Sequence, residues 1–239
     1  MTLTLTRTAL QQIPLLRVSA GAEAEAARRG CVLFFHGLGM PKDAQLRDLE
    51  SLARRGYLAV GVDNVGHGER RYADFEARFA EDNPDNARNF LQAVLLSARE
   101  VPLLVGALTR AGLVHEGRIG IAGISMGGYI TYAAAALEPR LRAAVVIVGS
   151  PEWPLAWPES PHRHLEAFAR VALLSQTAGC DTVVPGRYAK VFHERLEQFY
   201  SDYAARFAYT DYPASDHLLE ADWETLWRRT LEWFDKHLV

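Results

Sequence analysis

The stretch Arg118-Ile119-Gly120-Ile121-Ala122-Gly123-Ile124-Ser125-Met126-Gly127-Gly128 joins a short apolar run to an Ala-rich segment, 126–137, that Pro139 ends. The short run reads as a buried strand and the longer segment as a helix. Between them lies a Gly-x-Ser-x-Gly pentapeptide in the strand–turn–helix context that gives this pattern meaning. A serine at such a junction sits on a tight, strained turn, so the positions two residues away must be small. Gly123 and Gly127 meet that demand. Gly128 lets the helix approach the sheet closely, and the helix N-terminus turns the positive end of its dipole toward any negative charge forming there. Ser125 is the candidate nucleophile.

The same alternation extends outward in both directions. Residues 31–35 form a short apolar strand. Segment 43–55 has Leu46, Leu49 and Leu52 on one helical face and Gly56 as its C′ residue. A strand follows at 57–62. Segment 86–112 is mostly helical but contains Pro102, where a kink or break is expected. Beyond Ser125 come strands at 141–148, 170–175 and 206–211, a helix at 186–200 and a final helix from about 221 to 237. The Thr/Leu-rich segment 1–20 lacks a basic region followed by a continuous apolar run, and reads as two short strands, not a signal peptide. This pattern predicts an α/β fold: a mostly parallel central sheet with helices on both faces, residues 1–239 forming one domain with a minimal cap. Segments 69–85 and 150–164 are the candidate lids. Ligands in such sheets bind beyond the carboxyl ends of the strands.

Composition narrows the function classes. Of 239 residues, 49% are hydrophobic and 23% charged, and the net charge of −3 exerts no general pull on nucleic acid or an anionic membrane. No run reaches 18 uninterrupted apolar residues, so no membrane span is expected. The two cysteines, Cys31 and Cys180, fall near opposite ends of the expected sheet, too far apart to bridge. Free thiols point to a reducing, cytoplasmic location. No Gly-x-Gly-x-x-Gly or P-loop pattern follows a strand, which argues against a nucleotide-binding protein.

A serine nucleophile needs a base and an acid to orient it. Of the eight histidines, His217 lies in the loop after the last strand, at the carboxyl end. His36 and His67 also follow strands, but in turns of a different kind. His115, His193 and His237 read as surface residues. His162 and His164 have no carboxylate or thiol at metal-ligand spacing, so no metal is expected. Asp181, in the loop after strand 170–175, converges on His217. Asp216 competes with it, but adjacent residues rarely place their side chains for such a bond, and it reads better as a loop cap. The order Ser125, Asp181, His217 then matches one of the known chain orders for a serine triad. The Met126 N–H and, from the loop His36-Gly37-Leu38-Gly39, the Leu38 N–H are the expected oxyanion donors.

These motifs, together with Asp63-Asn64-Val65-Gly66-His67-Gly68 and Asp181-Thr182-Val183-Val184-Pro185, resemble the α/β-hydrolase superfamily over nearly the whole chain. Within it the chain is similar to the dienelactone-hydrolase-like and small bacterial carboxylesterase branch. Dienelactone hydrolases proper carry cysteine where Ser125 stands, which shifts the expectation from lactones to ordinary carboxylic esters. The Gly-His-Gly turn is followed here by Glu69-Arg70 where relatives often have x-Ser. The resemblance implies no cofactor and no metal. The expected activity is hydrolysis of a small to medium ester through an acyl-enzyme, by a monomer or homodimer. His36, Gly37, Gly39, Trp153 and Trp157 are the expected substrate contacts, although the two tryptophans could equally pack their loop. A serine aminopeptidase or acyltransferase, or a non-catalytic binding protein on the same fold, are the rival expectations.

Overall fold

The computed structural model describes residues 2–238. Its strands are β1 (Leu3–Leu10), β2 (Ile13–Ala20), β3 (Cys31–Phe35), β4 (Leu58–Val62), β5 (Ile119–Ile124), β6 (Ala143–Ile147), β7 (Ala172–Ala178) and β8 (Phe207–Tyr212). They form one sheet in the order β1-β2-β4-β3-β5-β6-β7-β8. β2 runs antiparallel to both β1 and β4, and every pairing from β4 to β8 is parallel. The helices are α1 (Glu23–Arg29), α2 (Leu46–Arg54), α3 (Phe75–Arg78), α4 (Asn86–Arg110), α5 (Met126–Leu137), α6 (Arg187–Phe199), α7 (Tyr203–Arg206) and α8 (Trp223–His237).

The period of two along each strand divides the interior into two cores. Cys31, Leu33 and Phe35 of β3 face a core built with α1, α4, α5 and α6. Val32 and Phe34 face the opposite core, built with α2 and α8. Because both faces are covered, β3, β4, β6 and β7 are buried along their whole length, which explains the continuous apolar runs of the first three. Cys31 is buried at the start of β3 and Cys180 exposed just after β7, and both are free.

Two local expectations are corrected. Pro102 does not break α4, which runs unbroken from Asn86 to Arg110. Leu91, Val94, Ala98, Val101, Leu104, Val105 and Leu108 are buried along it, and that packing outweighs the one backbone bond a proline removes. α4 is long and apolar enough to cross a membrane, yet most of its apolar stretch lies inside the fold. His193, expected at the surface, is buried in the seam between α6 and β7. Its ring nitrogens lie 2.8 Å from Ser175 Oγ and 2.9 Å from the Tyr203 hydroxyl. Burial lowers its pKa to about 3, so the ring is neutral there. The candidate lid 69–85 brings its two phenylalanine rings together. Phe75 and Phe79 pack on each other and on the buried His67 ring beside them.

Candidate active site

β5 ends at Ile124 and α5 begins at Met126, so Ser125 alone makes the turn between them. Its φ of 54° and ψ of −117° place a non-glycine residue in a sparsely populated region. Tight packing around the turn holds it there. A Cβ on Gly123 would come within 2.1 Å of the Gly127 carbonyl oxygen, and one on Gly127 within 2.0 Å of the Phe35 carbonyl oxygen. A Cβ on Gly128 would stand 2.8 Å from Gly149 Cα, where α5 crosses the loop after β6. The Ser125 N–H donates to the Ile147 carbonyl at 2.9 Å, anchoring the turn to β6.

His217 and Asp181 reach Ser125 from two adjacent loops. The loops after β7 and β8 are tied together by Gly179 N–H to Tyr212 O and Cys180 N–H to Ser215 O, each 2.9 Å. His217 Nε2 lies 2.9 Å from Ser125 Oγ, and His217 Nδ1 lies 2.7 Å from Asp181 Oδ2. The other carboxylate oxygen of Asp181 accepts the Val183 and Val184 N–H groups at 2.8 Å each. Those two bonds aim the carboxylate. The bond from His217 Nδ1 to Asp181 Oδ2 favours the tautomer in which Nδ1 carries the proton and Nε2 is free to accept the serine proton. Asp216, the competitor, accepts instead from the Leu218 N–H at 3.0 Å and caps its own loop.

Leu38 lines the cleft beside Ser125, and Met126 follows Ser125 directly in the chain. Met126 is the first residue of α5, so its N–H has no partner within the helix. Among the described residues, neither N–H donates to a loop or turn carbonyl or to a side chain. Gly37 lies against the nucleophile, since a Cβ there would be 3.8 Å from Ser125 Cβ.

A cleft of about 610 Å³ opens above Ser125 and His217. Gly37, Leu38, Met40, Gln45, Phe90, Tyr129, Pro154, Val183, Val184 and Leu218 are among the residues that line it, and none of its lining side chains is an Asp, Glu, Lys or Arg. Burial raises the Tyr129 phenol to about 12, so it stands in the cleft as a neutral hydroxyl.

Gly37 is the expected substrate contact that the structure places on this cleft. His36 is not on it. The ring is buried, with Nδ1 2.8 Å from the Gly37 carbonyl and Nε2 accepting the Asn64 N–H at 3.0 Å. Burial lowers its pKa to about 4, which suits a ring that donates once and accepts once. Gly39 lies outside the lining, with φ of 79° in the turn of its loop. Trp153 is buried in the core, its ring 6.4 Å from that of Trp157. Trp157 faces a separate groove of about 780 Å³ with Arg88, Leu95 and Glu159, which Ser125 does not line. Of segment 150–164, Pro154 alone reaches the cleft.

The model of the alpha/beta hydrolase family matches residues 32–239. The chain belongs to the alpha/beta hydrolase family. It is similar to a Bacillus subtilis (strain 168) protein named "Putative esterase YitV", at 27% identity over 236 residues covering 87% of this chain and 89% of that protein. Among solved structures, TT1662 from Thermus thermophilus superimposes with a TM-score of 0.83 at 21% identity, covering 98% of each chain. A Klebsiella pneumoniae protein titled "Putative Dienelactone Hydrolase" does so with a TM-score of 0.73 at 23% identity, covering 98% of this chain and 99% of that one. These likenesses establish an α/β-hydrolase fold over essentially the whole chain and agree with the branch its motifs resemble.

The cleft is also lined by residues that the family motifs leave out. Gln45, Asn86, Phe90 and Tyr129 line the cleft without belonging to any motif. Tyr129 had a local signal, because a residue four positions after Ser125 lies one helical turn above it. Gln45 and Asn86 had none, since they are brought in by the packing of two separate elements.

Proposed function

We propose that the chain is a serine hydrolase that cleaves neutral carboxylic esters of small to medium size. The observation that carries this reading is the relay from Ser125 Oγ through His217 to Asp181, at 2.9 and 2.7 Å, opening into a cleft with no ionic wall. His217 Nε2 takes the hydroxyl proton as Ser125 Oγ attacks the ester carbonyl. Asp181 holds the imidazole and stabilises the imidazolium that forms. The Leu38 and Met126 N–H groups receive the oxyanion, each donor worth about 2.7–4 kcal/mol at the transition state. His217 then passes its proton to the departing alkoxide. A water molecule, deprotonated by the same histidine, attacks the acyl-enzyme and releases the carboxylic acid and Ser125.

The esterase name of the Bacillus subtilis relative supports this reading. The wall of the cleft also weighs against an aminopeptidase, whose substrate ammonium needs a carboxylate partner, and against an anionic lactone, which needs a cation. A purely binding role leaves the ordered relay without a purpose.

The test is a panel of acyl esters, lactones and amides assayed with wild type and Ser125→Ala. Wild type is expected to turn over neutral esters fastest and to be labelled by a fluorophosphonate probe. Ser125→Ala should lose both properties. An unchanged rate in Ser125→Ala, or a preference for substrates with a free amine or carboxylate, overturns the reading.

A further inference from the structure

We propose that the buried Lys42–Asp63 pair, with Asn64, is a positioning clamp that holds the loop 36–41 so that the Leu38 N–H meets the oxyanion; this rests on the triad reading above. The loop leaves β3 at His36 and ends at Lys42, and the turn after β4 grips it at both points. At the start, Asn64 N–H donates to His36 Nε2 at 3.0 Å and Asn64 Nδ2 donates to the His36 carbonyl at 2.9 Å. At the end, Asp63 Oδ1 accepts the Lys42 backbone N–H at 2.7 Å, and Asp63 Oδ2 accepts from Lys42 Nζ at 3.0 Å. Asp63 and Lys42 are both buried, at 0% and 3% exposure, which is unusual for two charged residues on a short loop.

The residues after the Gly-His-Gly turn complete the clamp. The Glu69 N–H donates to Asp63 Oδ2 at 3.0 Å, and the Glu69 carboxylate accepts a further hydrogen bond from the Lys42 ammonium. Asp43 Oδ2 stands 3.8 Å from the same ammonium, and His36 Nε2 stands 3.9 Å from Asp63 Oδ1. Burial opposes the charge on Lys42, but its bonds to Glu69 and Asp63 overcome this and raise its pKa. Arg70 donates to the Asp63 backbone carbonyl at 2.6 and 3.2 Å and pairs with Glu100, fastening the turn to α4. Gly68 is required by the same packing. Its φ is +55°, and a Cβ there would fall 2.0 Å from Asp63 Oδ1. None of these side chains lines the cleft. Their effect on catalysis therefore has to pass through the loop they hold, where small displacements of an oxyanion donor are costly.

The experiment compares Lys42→Met and Lys42→Arg with wild type on a short-chain p-nitrophenyl ester. Rates are expressed per active site titrated with a fluorophosphonate, and inhibition by an alkylboronic acid, whose tetrahedral adduct carries an oxygen into the oxyanion hole, is measured alongside. Lys42→Met is expected to lower kcat about 10-fold or more, a fraction of what full loss of one donor costs, with KM within about twofold. The boronate Ki should rise by the same factor as kcat falls, and Lys42→Arg should recover most of both. A fall in Tm with kcat per site and boronate Ki unchanged overturns the clamp and leaves the pair merely structural. If Lys42→Met yields no folded protein, Asn64→Ala frees the other end of the loop and is judged by the same criteria. Ser125→Ala separates the two readings. Turnover that survives it overturns the triad, and the clamp with it, whereas Ser125-dependent turnover untouched by Lys42→Met and Asn64→Ala overturns the clamp alone.

Discussion

At the scale of single residues, two of the serine–histidine pairs at hydrogen-bond distance span distant parts of the chain, and their surroundings set them apart. Ser125 and His217 meet at the floor of an open cleft with a carboxylate behind the imidazole. Ser175 and His193 meet in the core, with Tyr132 2.6 Å from the serine and no carboxylate within the network. Distance alone does not make a nucleophile; access, an oriented base and oxyanion donors do. Asp181→Asn should keep the cleft but favour the wrong tautomer of His217. Its kcat is expected to fall by about 10⁴-fold with KM little changed, by steady-state assay of an activated ester. Ser175→Ala should do the reverse. It strands a buried ring nitrogen and should cost about 1–3 kcal/mol in urea denaturation, while kcat/KM stays within twofold of wild type.

At the scale of elements, the site depends on how closely α5 and the β3 loop approach each other. Gly127 lies where the helix passes over the end of β3, with its Cβ position 2.0 Å from the Phe35 carbonyl. Gly127→Ala should therefore push α5 away from the loop. An unfolding free energy lowered by about 1–3 kcal/mol, together with weaker fluorophosphonate labelling, is the expected outcome. α4 makes the opposite case. It tolerates Pro102 because its apolar face is already buried against the sheet and α5, and Pro102→Ala should raise Tm by restoring the missing backbone donor to an intact helix. Differential scanning calorimetry distinguishes that rise from no change.

At the scale of the whole molecule, buried neutral histidines, His36, His67 and His193 among them, link stability to pH, since burial lowers the pKa of each. His36 and His193 have folded-state pKa values lowered by burial from 6.5 to about 4 and about 3. Between those values and 6.5 the unfolded chain binds more protons than the folded one. The stability they provide is thus complete above about pH 6.5 and is lost as the pH falls through that window, each group contributing at most about 1.4 kcal/mol per pH unit. Urea midpoints measured from pH 7.5 down to pH 4.5 should decline steadily below pH 6.5. A flat profile would mean that one or both rings can charge inside the fold at little cost.

Much of the architecture was legible because local patterns and tertiary structure agree. The apolar runs became β3 to β8 within a few residues, the boundaries of α5 match those expected, and the Gly-x-Ser-x-Gly turn dictated where Ser125 stands, since only one backbone path threads those glycines. The order Ser125, Asp181, His217 followed from which loops leave the carboxyl ends of strands, a property of chain direction that sequence carries. Burial and lateral packing were not legible. His36, His193 and Trp153 are short-range neighbours of exposed-looking polar or proline-rich segments, yet each is buried by elements far away in the chain. The cleft wall likewise joins Gln45, Asn86, Tyr129 and Val183, which share no motif. Sequence by itself determined the chemistry available at the strand ends, because spacing and chirality are local. The tertiary structure alone decided which side chains line the cleft and which ones, such as Lys42 and Asp63, are buried away from it, because packing depends on contacts between distant segments.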